Sequence, residues 1–146
     1  VRFAICVARF YEDLAERLIA GAHEVLGEAG VSSDDIDTFD VPGAYELPLA
    51  AQMAAESGRY DGVVCLGAVI RGETSHYDYV CGESARGIQD VQLKTGVPCS
   101  FGVLTVNDKD QALARSGGDK RNSGAHAAEA VLALLAIKRQ LAPSAS

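Results

Sequence analysis

Short, nearly unbroken apolar runs alternate along this chain with longer amphipathic stretches, and a glycine closes most of the amphipathic ones. A run that is apolar at every position has to be covered on both faces, and a helix that follows it can cover only one. The alternation therefore confines the chain to β-α units wound around a parallel sheet. The first run, Phe3–Ala8, is followed by residues 13–29, which place Leu14, Leu18, Ala22, Val25, Leu26 and Ala29 at helical spacing. The second unit predicts a strand over Ile36–Val41 and a helix over 45–56, with Pro48 in its first turn, where a missing N–H costs little. The third run, Gly62–Ile70, is the most apolar and is expected at the sheet centre. A polar loop over 71–77 and a helix over 78–95 follow it. A fourth strand over 98–105, with its proline at the start, leads to a short helix over 108–116, a polar connector over 117–124 and a last helix over 125–141 with a frayed tail. The junctions Ala29-Gly30, Ser57-Gly58 and Thr95-Gly96 each fit a glycine just past a helix end.

These units predict an α/β chain, a three-layer α/β/α sandwich of the flavodoxin-like kind, with a four-stranded parallel sheet and an extra C-terminal helix. No linker or low-complexity segment divides residues 1–146, so one domain is expected. Thirteen Lys and Arg against twenty Asp and Glu give a formal charge of −7, which argues against a nucleic-acid partner, since phosphate-backbone affinity needs clustered cations. The longest apolar runs fall short of the roughly 18 to 20 residues of a membrane span, and no charged-then-apolar leader opens the sequence; a cytoplasmic chain is expected. Cys6, Cys65, Cys81 and Cys99 have no C-x-x-C spacing. That predicts free thiols, buried where they lie in apolar runs, rather than a zinc site or disulfides.

In open parallel sheets ligands sit beyond the carboxyl ends of the strands, so the turns there hold the candidate site. Phe10, directly after the first strand, could stack on a flat heterocycle or act as a hydrophobic lid on the first helix. Pro42-Gly43 permits a sharp turn close to a ligand, and Glu46 could bind a ligand or simply complement a helix dipole. The segment Arg71 to His76 joins a cation, a glycine, hydroxyls and an imidazole just before a helix start, where free N–H groups favour anions such as phosphate. Nothing in it matches the Walker lysine loop, which excludes the usual triphosphate hydrolysis machinery. His76 could exchange protons near neutral pH or cap the helix. Arg115, Lys120 and Arg121 form the one basic cluster, readable as a solvated helix end or as a phosphate clamp. His23 and His126 carry no chemistry in this reading.

Four strings then carry a specific resemblance: Val41-Pro42-Gly43-Ala44-Tyr45-Glu46-Leu47-Pro48, Leu66-Gly67-Ala68-Val69-Ile70-Arg71-Gly72-Glu73-Thr74, His76-Tyr77-Asp78-Tyr79-Val80 and Phe101-Gly102-Val103-Leu104-Thr105. In this order, and with the match running from Phe3 to the last helix, the chain resembles the 6,7-dimethyl-8-ribityllumazine synthases, which make the immediate precursor of riboflavin. The resemblance implies a transferase that condenses 5-amino-6-(D-ribitylamino)uracil with 3,4-dihydroxy-2-butanone 4-phosphate, releasing phosphate and water, without cofactor or metal. It implies that Phe10 stacks on the pyrimidine, while Ala44, Tyr45, Glu46, Ala68, Val69 and Ile70 hold the pyrimidine and its ribityl chain. It further implies that Glu73 and Thr74 bind the phosphate, that His76 moves protons, and that Phe101 and Arg115 reach the site from a neighbouring subunit.

Pentamers with shared active sites are implied too, some of them closing into sixty-subunit icosahedral shells, with riboflavin synthase as a candidate partner. This sequence departs from the family's usual pattern at Ser123, where a lysine is common, and at Tyr11, where asparagine is common. Two other readings compete with the enzyme: a ribityl- or flavin-binding shell protein with weak catalysis, and the distantly similar pentameric riboflavin synthase. The Phe10, Glu46 and His76 set favours lumazine synthase over both.

Overall fold

The computed structural model describes residues 1–117 and 121–143, so Lys120 and the tail residues 144–146 lie outside the described part. Four parallel strands, β1 (Phe3–Ala8), β2 (Ile36–Val41), β3 (Gly62–Ile70) and β4 (Cys99–Val106), form one sheet in the order β2-β1-β3-β4. The order places β1 and β3 at the centre. All six residues of β1 and the first seven of β3 are buried, whereas β2 at one edge is mostly open to solvent. The two central strands are thus the most apolar, while β4 at the other edge still buries six of its eight residues.

Side chains alternate across the sheet and build two cores. Phe3, Ile5 and Val7 of β1 face α1 (Glu12–Glu28) and α5 (Ser123–Gln140), while Ala4, Cys6 and Ala8 face α2 (Leu47–Glu56) and α3 (His76–Thr95). A short α4 (Lys109–Ala114) adds Ala112 to the first core. Leu14, Leu18 and Leu26 of α1 are fully buried there, each worth about 1.5–3 kcal/mol of transfer free energy. This is the three-layer α/β/α arrangement of the flavodoxin-like fold, and Gly30, Gly58 and Gly96 all take the left-handed conformation expected of them at helix ends.

α1 and α5 cross with their backbones almost touching. A Cβ on Gly124 would lie 2.0 Å from the Leu18 carbonyl oxygen, and one on Gly21 would lie 2.2 Å from Asn122 Oδ1, so neither position can carry a larger side chain in this packing. Asn122 works on both helices: its Oδ1 accepts from the Ala125 N–H at 3.1 Å as the cap of α5, and its Nδ2 donates to the Arg17 carbonyl at 3.1 Å.

Several boundaries shift by one or two residues from expectation, α5 starting at Ser123 and not 125 and α4 covering only Lys109–Ala114, and three of the shifts bear on the strand ends and the turns beside them. The stretch predicted as a helix from 45 opens instead with a 3-10 turn, Ala44–Glu46, before α2 starts at Leu47 with Pro48 in its first turn. The turn is tied by Glu46, whose Oε1 accepts the Gly43 N–H at 2.9 Å. α3 begins at His76, two residues before the expected start, and β4 starts at Cys99 because the preceding Pro98 offers no N–H. All four cysteines are free, with Cys6, Cys65 and Cys99 buried and Cys81 half-buried. Burial pushes the Cys99 thiol up to about 12, so it stays protonated and unreactive. Among the described residues no helix is long and apolar enough to cross a membrane.

Candidate active site

The carboxyl ends of β1, β2 and β3 open onto a cleft of about 700 Å³. One wall comes from the β1-α1 turn with Phe10 and Tyr11. The next comes from Gly43, Ala44, Tyr45 and Glu46 after β2, and the floor from Ala68, Val69 and Ile70 at the end of β3. The loop after β3 and the first turn of α3 close the other side with Gly72, Thr74, His76, Tyr77, Tyr79 and Val80.

Phe10 is 73% exposed, so its ring stands out from the body instead of serving as a lid on α1. Tyr11 meets it edge to face, the ring centroids 4.9 Å apart, an arrangement that fixes ring orientation. The preceding Arg9 anchors the turn: its backbone N–H donates to Val41 O at 2.9 Å, and its guanidinium pairs with Asp40 at 2.8 Å, with Glu12 and with Glu16. Hydrogen bonds to Asp40 and then Glu16 hold its pKa above the ordinary arginine value. A cation so engaged is spent on the fold and is not available as a phosphate ligand.

Glu46 divides its carboxylate between two tasks. One oxygen is bound by the Gly43 N–H, which orients the group and leaves the second oxygen to accept from a ligand hydroxyl. On the opposite side the His76 N–H donates to Thr74 Oγ1 at 3.3 Å, and the imidazole is exposed as the first residue of α3. Tyr77 lies beside it, its phenol pushed up in pKa first by burial and then by Cys81. Hydroxyl, imidazole and helix start thus face the Phe10 ring and the Glu46 carboxylate across one space.

Nine of the twelve residues expected at the site line this cleft: Phe10, Ala44, Tyr45, Glu46, Ala68, Val69, Ile70, Thr74 and His76. Glu73 is exposed on the same loop and forms no part of the wall. Phe101 lies elsewhere, in a groove of about 400 Å³ between α3 and α5, together with Arg121, Ser123 and His126. Arg115, half-buried at the end of α4, donates from Nη1 to Gln111 O at 3.2 Å. Within one chain, therefore, neither Phe101 nor Arg115 meets Phe10. The segments that carry Arg115 and Arg121 are tied side by side, since Arg121 N–H donates to Ala114 O and Ser123 N–H to Arg115 O.

Sequence reasoning assigned no site role to Tyr11, Tyr77, Tyr79 or Val80. Tyr77 falls in the stretch read as loop, and Tyr79 and Val80 in the first turn of the predicted helix, whose face toward the strand ends follows only from its packing. Among the described residues no three His, Cys, Asp or Glu side chains gather as a metal centre would require. The family model described as 6,7-dimethyl-8-ribityllumazine synthase matches residues 1–139, nearly the whole of the 146-residue chain. With the parallel sheet, the cleft at its carboxyl end and that match together, the chain belongs to the 6,7-dimethyl-8-ribityllumazine synthase family of riboflavin biosynthesis.

Proposed function

We propose that this cleft condenses 5-amino-6-(D-ribitylamino)uracil with 3,4-dihydroxy-2-butanone 4-phosphate to give 6,7-dimethyl-8-ribityllumazine, phosphate and water. The observation that carries the reading is the convergence, in one cleft, of an exposed aromatic ring, a half-used carboxylate, and a hydroxyl and imidazole at a helix start. Phe10 stacks on the pyrimidine. The free oxygen of Glu46 accepts from the ribityl hydroxyls, and the floor at Ala68, Val69 and Ile70 excludes water beneath them. The N–H groups at Glu73 and Thr74, with the Thr74 hydroxyl, receive the phosphate.

The chemistry needs no covalent help from the protein. The pyrimidine amine attacks the ketone and water leaves to give an imine. Loss of the C3 proton then expels phosphate from C4 and leaves an enol at C3, which tautomerises to a ketone, and the ribityl-bearing amine closes on that new carbonyl with loss of a second water. Holding two reactants in line supplies most of the acceleration, and His76 supplies proton transfer at the imine and elimination steps.

Phe101 and Arg115 enter this reading from a second copy of the chain, in a pentamer whose sites are shared between neighbours. Support comes from β4, an edge strand with no second strand on its outer side among the described residues, in which Phe101 stays 39% exposed and Ser100 Oγ is buried with no partner among the described residues. Arg115 would then hold the phosphate as a charge-assisted fork. Mixing both substrates with micromolar protein and following lumazine formation and phosphate release tests the reaction. Turnover is expected, whereas binding without turnover would favour the shell-protein reading, in which Ser123 leaves the phosphate short of a cation. Light scattering tests the assembly, where a monomer would overturn the shared site.

A further inference from the structure

We propose that Arg71 is a positioning residue that clamps the loop bearing Thr74 and His76 to the end of β4, and so sets where those two groups stand in the cleft. The inference rests on the reading of the cleft as a lumazine synthase site. The chain leaves the sheet at Arg71, whose backbone N–H makes the last ladder bond, to Val106 O at 2.9 Å. From Gly72 to Ser75 no hydrogen bond among the described residues returns to the sheet. The bond between the His76 N–H and Thr74 Oγ1 is internal to the segment, Ser75 makes no side-chain cap for α3, and Gly72 has open space where a side chain would point.

The Arg71 side chain supplies what the loop lacks. Its Nε donates to Asn107 Oδ1 at 3.0 Å, just past the end of β4. Its guanidinium carbon lies 4.3 Å from the centroid of the Tyr77 ring, and Nη1 is 3.7 Å from Asp78 Oδ1. Asn107 is held in turn, since its N–H donates to Gln111 Oε1 of α4 at 2.8 Å. One planar cation thus joins the β4-α4 turn to the first turn of α3, whose first residue is His76. Arg71 is about half exposed, so each contact is weak alone, but together they bridge the β4-α4 turn and the first turn of α3, where the Tyr77 hydroxyl also meets Thr105 of β4, across a loop from Gly72 to Ser75 that has no such bond of its own among the described residues. A lysine cannot stack on Tyr77 and donate in the plane to Asn107 at once.

The test compares wild type, R71A, R71K, N107A and the R71A/N107A double variant by amide hydrogen exchange over residues 72–79 and by steady-state kinetics with both substrates. In R71A, exchange over this segment is expected to rise about tenfold while the rest of the chain and the melting temperature stay near wild type. Its kcat/KM is expected to fall about tenfold, mainly through kcat, because the groups are displaced rather than removed. R71K should fail to restore either readout. N107A should give the same pattern more weakly, with the double variant no worse than R71A. Unchanged loop exchange in R71A overturns the clamp whatever the kinetics do, as do additive effects of R71A and N107A. Raised exchange with wild-type kinetics overturns the positioning role. Exchange needs no substrate, so a wild-type protein that makes no lumazine would sink the assigned reaction while the clamp is judged on exchange alone.

Discussion

The two ends of the sheet treat their polar and aromatic groups in opposite ways. At the amino end the groups are used up on one another. Arg2 pairs with Asp35 at 3.3 Å and Asp37 at 2.9 Å, the Tyr60 hydroxyl donates to Asp37 at 2.6 Å, and the Arg2 N–H donates to Asp61 at 2.8 Å. At the carboxyl end Phe10, Tyr45 and Tyr79 stand 73%, 60% and 69% exposed, and Glu46 keeps one oxygen free of its own chain. A group already paired has little left to offer a ligand, and an exposed ring costs the fold the apolar area it could have buried. On strands shared by both, the amino end therefore spends these groups on cohesion, while the carboxyl end, beside the paired Arg9 and Arg71, leaves these rings and one carboxylate oxygen open to a ligand.

Variants at the carboxyl end should change rate without changing stability, and a loss of both would break the comparison. The largest effect is expected from His76→Ala, a fall in kcat of about 100-fold that leaves measurable turnover, because positioning carries the larger share of the barrier. Complete loss of turnover with substrate binding intact would count against that division. Phe10→Ala should raise KM for the pyrimidine substrate and cost about 10- to 30-fold in kcat/KM, the scale of one lost stacking contact. Its melting temperature should stay within about 1 °C of wild type, since little of the ring is buried.

The amino end should answer to pH instead. Hydrogen bonds from Tyr60 and then Arg2 hold the Asp37 carboxyl below the usual aspartate range, while burial and then Asp37 hold the Tyr60 phenol above the usual tyrosine range. A depressed carboxyl stabilises the fold above its unfolded pKa, about 4, and that contribution is lost as pH falls through the folded value. A raised phenol stabilises it below about 10, and that contribution is lost as pH rises through the folded value. Urea midpoints of wild type and Asp37→Asn should therefore differ at neutral pH, with the wild type higher, and converge in acid once pH has fallen through the lowered folded value. Because Asp37 and its partner Arg2 are 34% and 41% exposed, this is the smallest of the effects, and kcat at neutral pH should not move. A change in kcat would show that the two ends are energetically coupled.

Much of this arrangement was legible from residue order. The four strands, the glycine stops and the position of Pro48 follow from period and punctuation, and the turns after β1, β2 and β3 were identifiable as the place to look. What escaped depended on contacts between distant residues or on local competition. Glu46 ties down Gly43 as a 3-10 turn, which no periodicity announces. Starting α3 at His76 brings Tyr77 into its first turn and onto the cleft, although the stretch from Arg71 to Tyr77 is polar enough to read as loop throughout. Asn122 falls in a stretch that reads as polar connector, yet it caps α5, and its second bond reaches Arg17 on a helix that nothing nearby in the chain mentions.

That last contact has a consequence for how the protein is made. Arg17 and Asn122 are 105 positions apart, and the helices they join meet so closely that only glycine fits at Gly124. On the ribosome, β1, β2 and β3 and their first helices emerge well before α5. For most of synthesis the nascent chain carries Leu14, Leu18 and Phe3 in a core that still lacks Val131 and Leu135. Contacts this distant in sequence slow the final step, and an uncovered apolar face is open to self-association in the meantime. Nascent or released chains that have not yet docked α5 are thus the species on which chaperones would act.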